Sequence, residues 1–435
     1  MDKSDRRNNI FMSAALACGS FTSAYSVTVL PFFAVYCASR ASVAVMACLV
    51  IACVVPFCLM PLVYVALHRF SPLLFGRYHL AMPLSAFLSA LFFVLMFSAT
   101  DGSPLSQCMI IFGAVLFSSA LVCYRYCSFS VRVRLDGSDF GVPPAGKILA
   151  AFGAVAALAC LFGFYRYDPE TVFANTAYVL GALGCIFAIV QYLTTFYSVP
   201  KFSGSRKITV KQAFRAVYGA LDKKLFFGAA CAVGACFTAL GLSAYACSAL
   251  GLSPEISIYA AAAAACGYAA CVAAFSRVSG STVASAVAFA SSMLSVGALI
   301  AAMTVRMSGA AAAGAVSSAC ALCGVGLAAA VNVKRKRFVA VKPDNTVGTA
   351  FILTGLADLG GLAVTTAIAA VCVSIVTRAG VRATDALVPA FAVAAALAVI
   401  GFALLLGGSR KDYSAPSTLP RDTERDDRAR TAAGE

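Results

Sequence analysis

Ser198-Val-Pro-Lys201-Phe-Ser-Gly-Ser-Arg206-Lys207-Ile-Thr-Val-Lys211-Gln-Ala-Phe-Arg215-Ala-Val-Tyr-Gly-Ala-Leu-Asp222-Lys223-Lys224 is the longest polar interval inside the chain, and it sets seven basic residues against one acid. Six long apolar runs precede it, at 10–36, 43–67, 79–99, 104–125, 147–165 and 171–196. Six more follow, at 225–250, 256–276, 281–304, 308–332, 348–376 and 386–407. About 20 apolar residues cross a hydrocarbon core about 30 Å thick. A segment in lipid must pair its own backbone groups, so each run reads as a helix. Barrel strands would be shorter and would alternate in polarity. The sequence therefore predicts an all-α membrane protein of twelve helices in two six-helix halves. The N-terminal half is 1–197, the basic linker 198–224, the C-terminal half 225–407 and a disordered tail 408–435.

Composition agrees. Of 435 residues 61% are hydrophobic and 12% charged, against about 45–50% and about 25% in soluble domains. Mean hydropathy is +0.89. These values exclude a soluble enzyme, a disordered chain and a nucleic-acid-binding domain. The net charge of +15 comes from short loops and the tail. With the N-terminus placed inside, 28 of the 33 Lys and Arg residues fall on the inner side and 5 on the outer. That bias puts both termini in the cytoplasm, in a multi-pass protein of the cytoplasmic membrane. The 18 cysteines lie almost all within apolar runs, where they read as small buried hydrophobes. Cys320 and Cys323 make a lone C-x-x-C with no second pair and no nearby histidine, so no metal is expected. No phosphate loop and no nucleophile elbow is present. No enzyme, no cofactor and no nucleic-acid partner is expected, and a monomer is.

Within the linker, Val210, Phe214, Val217 and Leu221 recur at helical spacing, which reads either as an amphipathic helix on the cytoplasmic membrane surface or as a solvated linker helix. The halves also differ in texture. Of 48 Phe and Tyr residues, 35 precede residue 225, and the second half is rich in Ala, Gly and Ser. Small residues let helices approach closely.

Six plus six helices, a basic central loop and both ends inside resemble the major facilitator superfamily of transporters. The segment Met60-Pro61 through His68-Arg69 to Phe75-Gly76-Arg77-Tyr78-His79 is similar to the 2–3 loop of the glycoside–pentoside–hexuronide:cation symporter family, with Pro61, Arg69, Gly76 and Arg77 at matching positions. Lys207-Ile-Thr-Val-Lys-Gln-Ala-Phe and Ala357-Asp358-Leu-Gly-Gly resemble its linker and helix 11 segments. The resemblance implies that Arg69, Gly76 and Arg77 act in gating between the halves; positive-inside topology alone is the other reading of the two arginines. The family's cation-binding carboxylates are replaced: Met60 and Pro56 stand where helix 2 carries Asp, His68 replaces the loop Asp, and Asp358 replaces a Lys. Coupling to protons is therefore expected rather than to Na⁺.

Asp358 is the one acid deep inside an apolar run. At about 1.5 Å per residue from Gly348 it sits about 15 Å along, near the midplane. An acid there costs at least about 2.5 kcal/mol, so it faces a cavity, pairs or is protonated. It is either a proton carrier or solute ligand, or an acid neutralised by an interhelical hydrogen bond. Thr354 and Thr365 share its face within about 40°. In the first run Thr22, Ser23 and Ser26 share a face with Gly19, beside Tyr25. They line a path for a polyol or pack helices through small residues. Arg125, flanked by Tyr124 and Tyr126, binds an anion, pairs with Asp358 or snorkels to the interface. Gln191 is a further cavity candidate. The expected function is secondary transport of a small polar solute of the sugar or glycoside kind, by alternating access and with proton coupling. The alternatives are an exporter of lipophilic drugs and a non-transporting sensor or scaffold.

Overall fold

The computed structural model describes residues 80–98, 103–136, 144–198, 209–218, 223–275, 281–341 and 382–407, with positions 20, 24–25, 27–29, 31–32, 55–56, 59, 61–63, 65–67, 78 and 380. The described residues form helices α1 (Ala81–Phe97), α2 (Pro104–Asp136), α3 (Pro144–Tyr167), α4 (Val172–Ser198), α5 (Val210–Tyr218), α6 (Lys223–Ala249), α7 (Pro254–Phe275), α8 (Ser281–Thr304), α9 (Gly309–Val341) and α10 (Ala383–Gly407). Nine of the twelve expected runs are thus seen as helices. Seven are long and apolar enough to cross a membrane, and α1 and part of α3 are shorter apolar helices. The protein is a multi-pass membrane protein. The first, second and eleventh runs lie largely outside the described residues.

Local chemistry fixes the helix ends. Pro104 opens α2 after Ser103, whose hydroxyl accepts the Ser106 N–H at 3.1 Å. Proline loses nothing at a first helical position, where its missing N–H had no partner. α7 likewise opens on a proline, Pro254, preceded by Ser253. At α5 the Thr209 hydroxyl accepts the Gln212 N–H at 3.2 Å, and the Gln212 side chain accepts the Thr209 N–H at 2.9 Å. That is a reciprocal capping box. α6 stops at Gly251, which adopts φ +66° while the Leu252 N–H reaches the Cys247 carbonyl at 2.9 Å. A left-handed residue is what this closure requires. After α8 the same closure is made by Arg306, at φ 53°, with the Met307 N–H on the Ala302 carbonyl at 3.1 Å.

Two helices run past the expected spans. α2 continues to Asp136 and α9 to Val341, beyond the apolar limits of 125 and 332. Hydropathy marks where lipid ends, whereas a helix continues into water as long as its residues tolerate it.

Ring contacts are concentrated before the linker, where most Phe and Tyr residues lie. Before it, rings interlock: Phe32 lies 4.9 Å from Phe97 and 5.3 Å from Phe173, and Phe93 lies 4.7 Å from Phe97. Backbones touch on both sides: a Cβ built on Gly153 of α3 would collide with the Ser20 carbonyl. A Cβ built on Gly267 of α7 would collide with the Ala321 carbonyl of α9, and one on Gly324 of α9 with the Ala264 carbonyl of α7. One core cluster includes Phe97 and Phe173 together with Leu242, Ile258 and Phe391, so residues from both sides of the linker share it. Phe162 of α3 and Tyr259 of α7 meet across that boundary at 5.2 Å. Phe112, Val155 and Leu294 remain exposed on the helix surfaces, as lipid-facing side chains must.

Candidate functional site

Four of the expected site residues fall among the described residues. Tyr25 is half-buried and stacks on Phe117 of α2 at 4.4 Å, with Phe97 edge-on at 6.0 Å. Its ring belongs to the aromatic cluster. Tyr124 is buried on α2, as is Tyr126, whose ring meets Tyr78 at 6.3 Å. Arg125, between them, is half-buried. It lies in the last turn of the apolar span 104–128, with α2 continuing beyond it, so it is not at a helix end. Gln191 of α4 is fully buried, and its backbone carbonyl accepts the Thr194 hydroxyl at 3.1 Å. Thr22, Ser23, Ser26, Arg69, Gly76, Arg77, Thr354, Asp358 and Thr365 lie outside the described residues.

The described spans are almost without charge. In the seven spans long enough to cross a membrane, the charged side chains are Arg125 and, in the first turn of α7, Glu255. Polarity is supplied instead by hydroxyls and thiols. Ser295 of α8 donates to the Ala319 carbonyl of α9 at 2.8 Å and lies 2.9 Å from the Cys323 thiol. Cys320, one turn before Cys323, donates to Ser243 of α6 at 3.3 Å. Cys236 of α6 meets Ser292 of α8 at 3.3 Å. The C-x-x-C pair therefore reaches two different helices. Among the described residues no group of three or more His, Cys, Asp or Glu side chains is placed to hold a metal.

Three buried hydroxyls stand apart. Ser106 of α2, Thr176 of α4 and Thr238 of α6 have no hydrogen-bond partner among the described residues. An unpaired buried hydroxyl costs about 1–3 kcal/mol, so its retention calls for an explanation. Thr238 sits 12 residues into the apolar span Phe226–Ala249, about 18 Å along it at about 1.5 Å per residue and hence near the midplane. Thr238, Ser243, Tyr245 and Ser248 are polar positions of this helix, and nothing in the sequence marks Thr238 as the one left unsatisfied. Ser106 and Thr176 carry no signal of their own in the sequence.

No protein-family model and no curated protein matches the chain. Solved structures do. The nucleoside transporter NupG matches with a TM-score of 0.58 at 11% identity, covering 92% of this chain and 98% of that one. A bacterial homologue of the human lysosomal transporter Spinster, inward-facing and occupied, matches at 0.58 and 12% identity over 94% and 98%. The E. coli fucose:proton symporter FucP matches at 0.51 and 13% identity over 94% and 100%. These are major facilitator-type transporters rather than enzymes, and at this identity the likeness shows a shared fold. The likeness is one of fold alone and does not select the glycoside–pentoside–hexuronide symporters.

Proposed function

We propose that the chain is a proton-coupled secondary transporter in the cytoplasmic membrane, moving a small uncharged polar solute of the sugar, glycoside or nucleoside class by alternating access of its two halves. The observation that carries this reading is Thr238: a hydroxyl near the midplane, buried in a transporter fold and left without a partner among the described residues. A solute hydroxyl or carbonyl arriving there completes its hydrogen bonding. The scarcity of charge in the described spans suits a neutral cargo, since a charged one would call for a fixed counter-charge. NupG and FucP, by name a nucleoside transporter and a fucose:proton symporter, are consistent with that cargo class. In this reading Asp358 carries the proton. Thr354, Thr365, Thr22, Ser23 and Ser26 offer further hydroxyls to the solute, Gln191, Tyr25, Tyr124 and Arg125 are further candidates for contact with it, and Arg69, Gly76 and Arg77 gate the inner side. The protein works as a monomer with both termini in the cytoplasm.

The test is uptake into proteoliposomes under an imposed pH gradient, with labelled sugars and nucleosides and with the Asp358→Asn variant. Gradient-driven accumulation of a neutral solute, abolished in Asp358→Asn, supports the reading. Accumulation unchanged in that variant removes Asp358 from coupling. Extrusion of a lipophilic cation, with no neutral solute carried, overturns the reading in favour of an exporter.

A further inference from the structure

The linker helix α5 has three distinct flanks. Ala213 is fully buried, so that flank rests on the protein. Val210 and Phe214, at i and i+4, are 42% and 44% exposed. Lys211 is exposed as well. At about 100° per residue, the Val210–Phe214 face lies between the Ala213 flank and the Lys211 flank. This is the arrangement of a helix lying in a membrane interface: one flank on its own protein, apolar side chains toward acyl chains, a basic flank at headgroup level. The chain on either side supports that depth. The apolar span of α4 ends at Thr194 and that of α6 begins at Phe226, so α5 is tethered between two helices that leave the membrane. The capping box at Thr209 and Gln212 gives its first turn an end of its own.

We propose that α5 is a docking site for anionic lipid headgroups, with Val210 and Phe214 entering the acyl boundary and Lys211 meeting the headgroup charge. Charge complementarity identifies the occupant. The interval 198–224 carries seven basic residues and one acid, and juxtamembrane basic segments are drawn to negatively charged leaflets. A neutral bilayer would not require that excess. An acidic protein partner would not require the apolar face, and is an outcome of the test.

The chain contains no tryptophan, so Phe214→Trp installs a single reporter in the full-length protein. The variant is reconstituted into vesicles of phosphatidylcholine alone and of phosphatidylcholine with phosphatidylglycerol, each with and without brominated acyl chains. The expected result is blue-shifted emission, quenched by brominated lipid, more strongly with phosphatidylglycerol and less at high salt. Adding Lys211→Gln should lower the docked-to-undocked ratio in the anionic vesicles by about fivefold. Emission quenched equally by aqueous acrylamide in both vesicle types overturns the proposal, because α5 is then a solvated linker. Blue-shifted emission insensitive to both brominated lipid and acrylamide also overturns it, because protein then covers the face. Val210→Trp repeats the measurement if Phe214→Trp does not fold.

Discussion

Gly267 on α7 sits so close to the Ala321 carbonyl of α9 that no Cβ fits between them. The contact is mirrored by Gly324 against the Ala264 carbonyl, which makes a crossing of two helices at backbone distance. Such crossings are how membrane helices gain packing energy without a hydrophobic drive between them.

The first prediction contrasts glycines. Gly267→Ala or Gly324→Ala should destabilise the detergent-solubilised protein by about 1–3 kcal/mol through overpacking. Gly241→Ala and Gly297→Ala, where a Cβ meets nothing among the described residues within 4 Å, should be neutral or gain about 0.5–1 kcal/mol of helix stability. Thermal unfolding of the four variants reads the difference, and equal losses in all four would show that the crossing is not tight.

Arg306 closes α8 in the left-handed region and pairs with Asp385 at 3.7 Å, both side chains about half exposed (55% and 45%). An exposed pair contributes at most about 1 kcal/mol, and glycine fits that backbone without strain. Arg306→Gly should therefore melt at or above the parent. Arg306→Ala keeps the strain, loses the pair and should be less stable than Arg306→Gly by about 1 kcal/mol. The order of the two melting temperatures decides the matter.

Thr238→Val tests the solute site. It replaces an unpartnered hydroxyl by a methyl of similar shape, so stability should hold or rise by about 1 kcal/mol. If the hydroxyl serves the solute, KM for uptake should rise roughly threefold to tenfold, the worth of one hydrogen bond. Unchanged KM would assign Thr238 to packing alone.

Asp168 begins the turn before α4. Its carboxylate accepts the Thr171 hydroxyl and, at 3.1 Å, the Glu170 N–H. These two bonds hold its pKa below the ordinary 3.8. A depressed folded value stabilises the native state at pH above the unfolded value, and the contribution is lost as pH falls through the lowered one. Asp168→Ala should therefore melt below the parent at neutral pH. The gap should shrink as the solution is acidified below the ordinary carboxylate range, and a constant gap would deny the titration its role.

Much of the architecture is written locally, which is why it can be read locally. The α5 cap needs only Thr209 and Gln212, three residues apart, and the burial of Cys236, Cys320 and Cys323 follows from their apolar neighbours. The helix ends at Asp136 and Val341 were hidden because charged residues that stop a span do not stop a helix. The interior bonds were hidden for a different reason. Ser243 and Cys320 are 77 positions apart, and Cys236 and Ser292 are 56 apart. No periodicity links residues on separate helices; only their packing does. Tyr25 shows the same limit. Beside Thr22, Ser23 and Ser26 its hydroxyl suggests a polar path, yet its ring rests on Phe117, which lies 92 positions away.

The Phe162–Tyr259 contact has a mechanical meaning. Rings that touch at 5.2 Å slide or tilt at small cost, an aromatic pair being worth about 0.5–1.5 kcal/mol. Carbonyls pressed onto glycine, as at Gly267 and Gly324, have no such play. This contact, one of those shared by the segments before and after the linker, is thus compliant, while the α7–α9 crossing is stiff. A load applied across the protein would be relieved by motion at the Phe162–Tyr259 seam before it deformed that crossing.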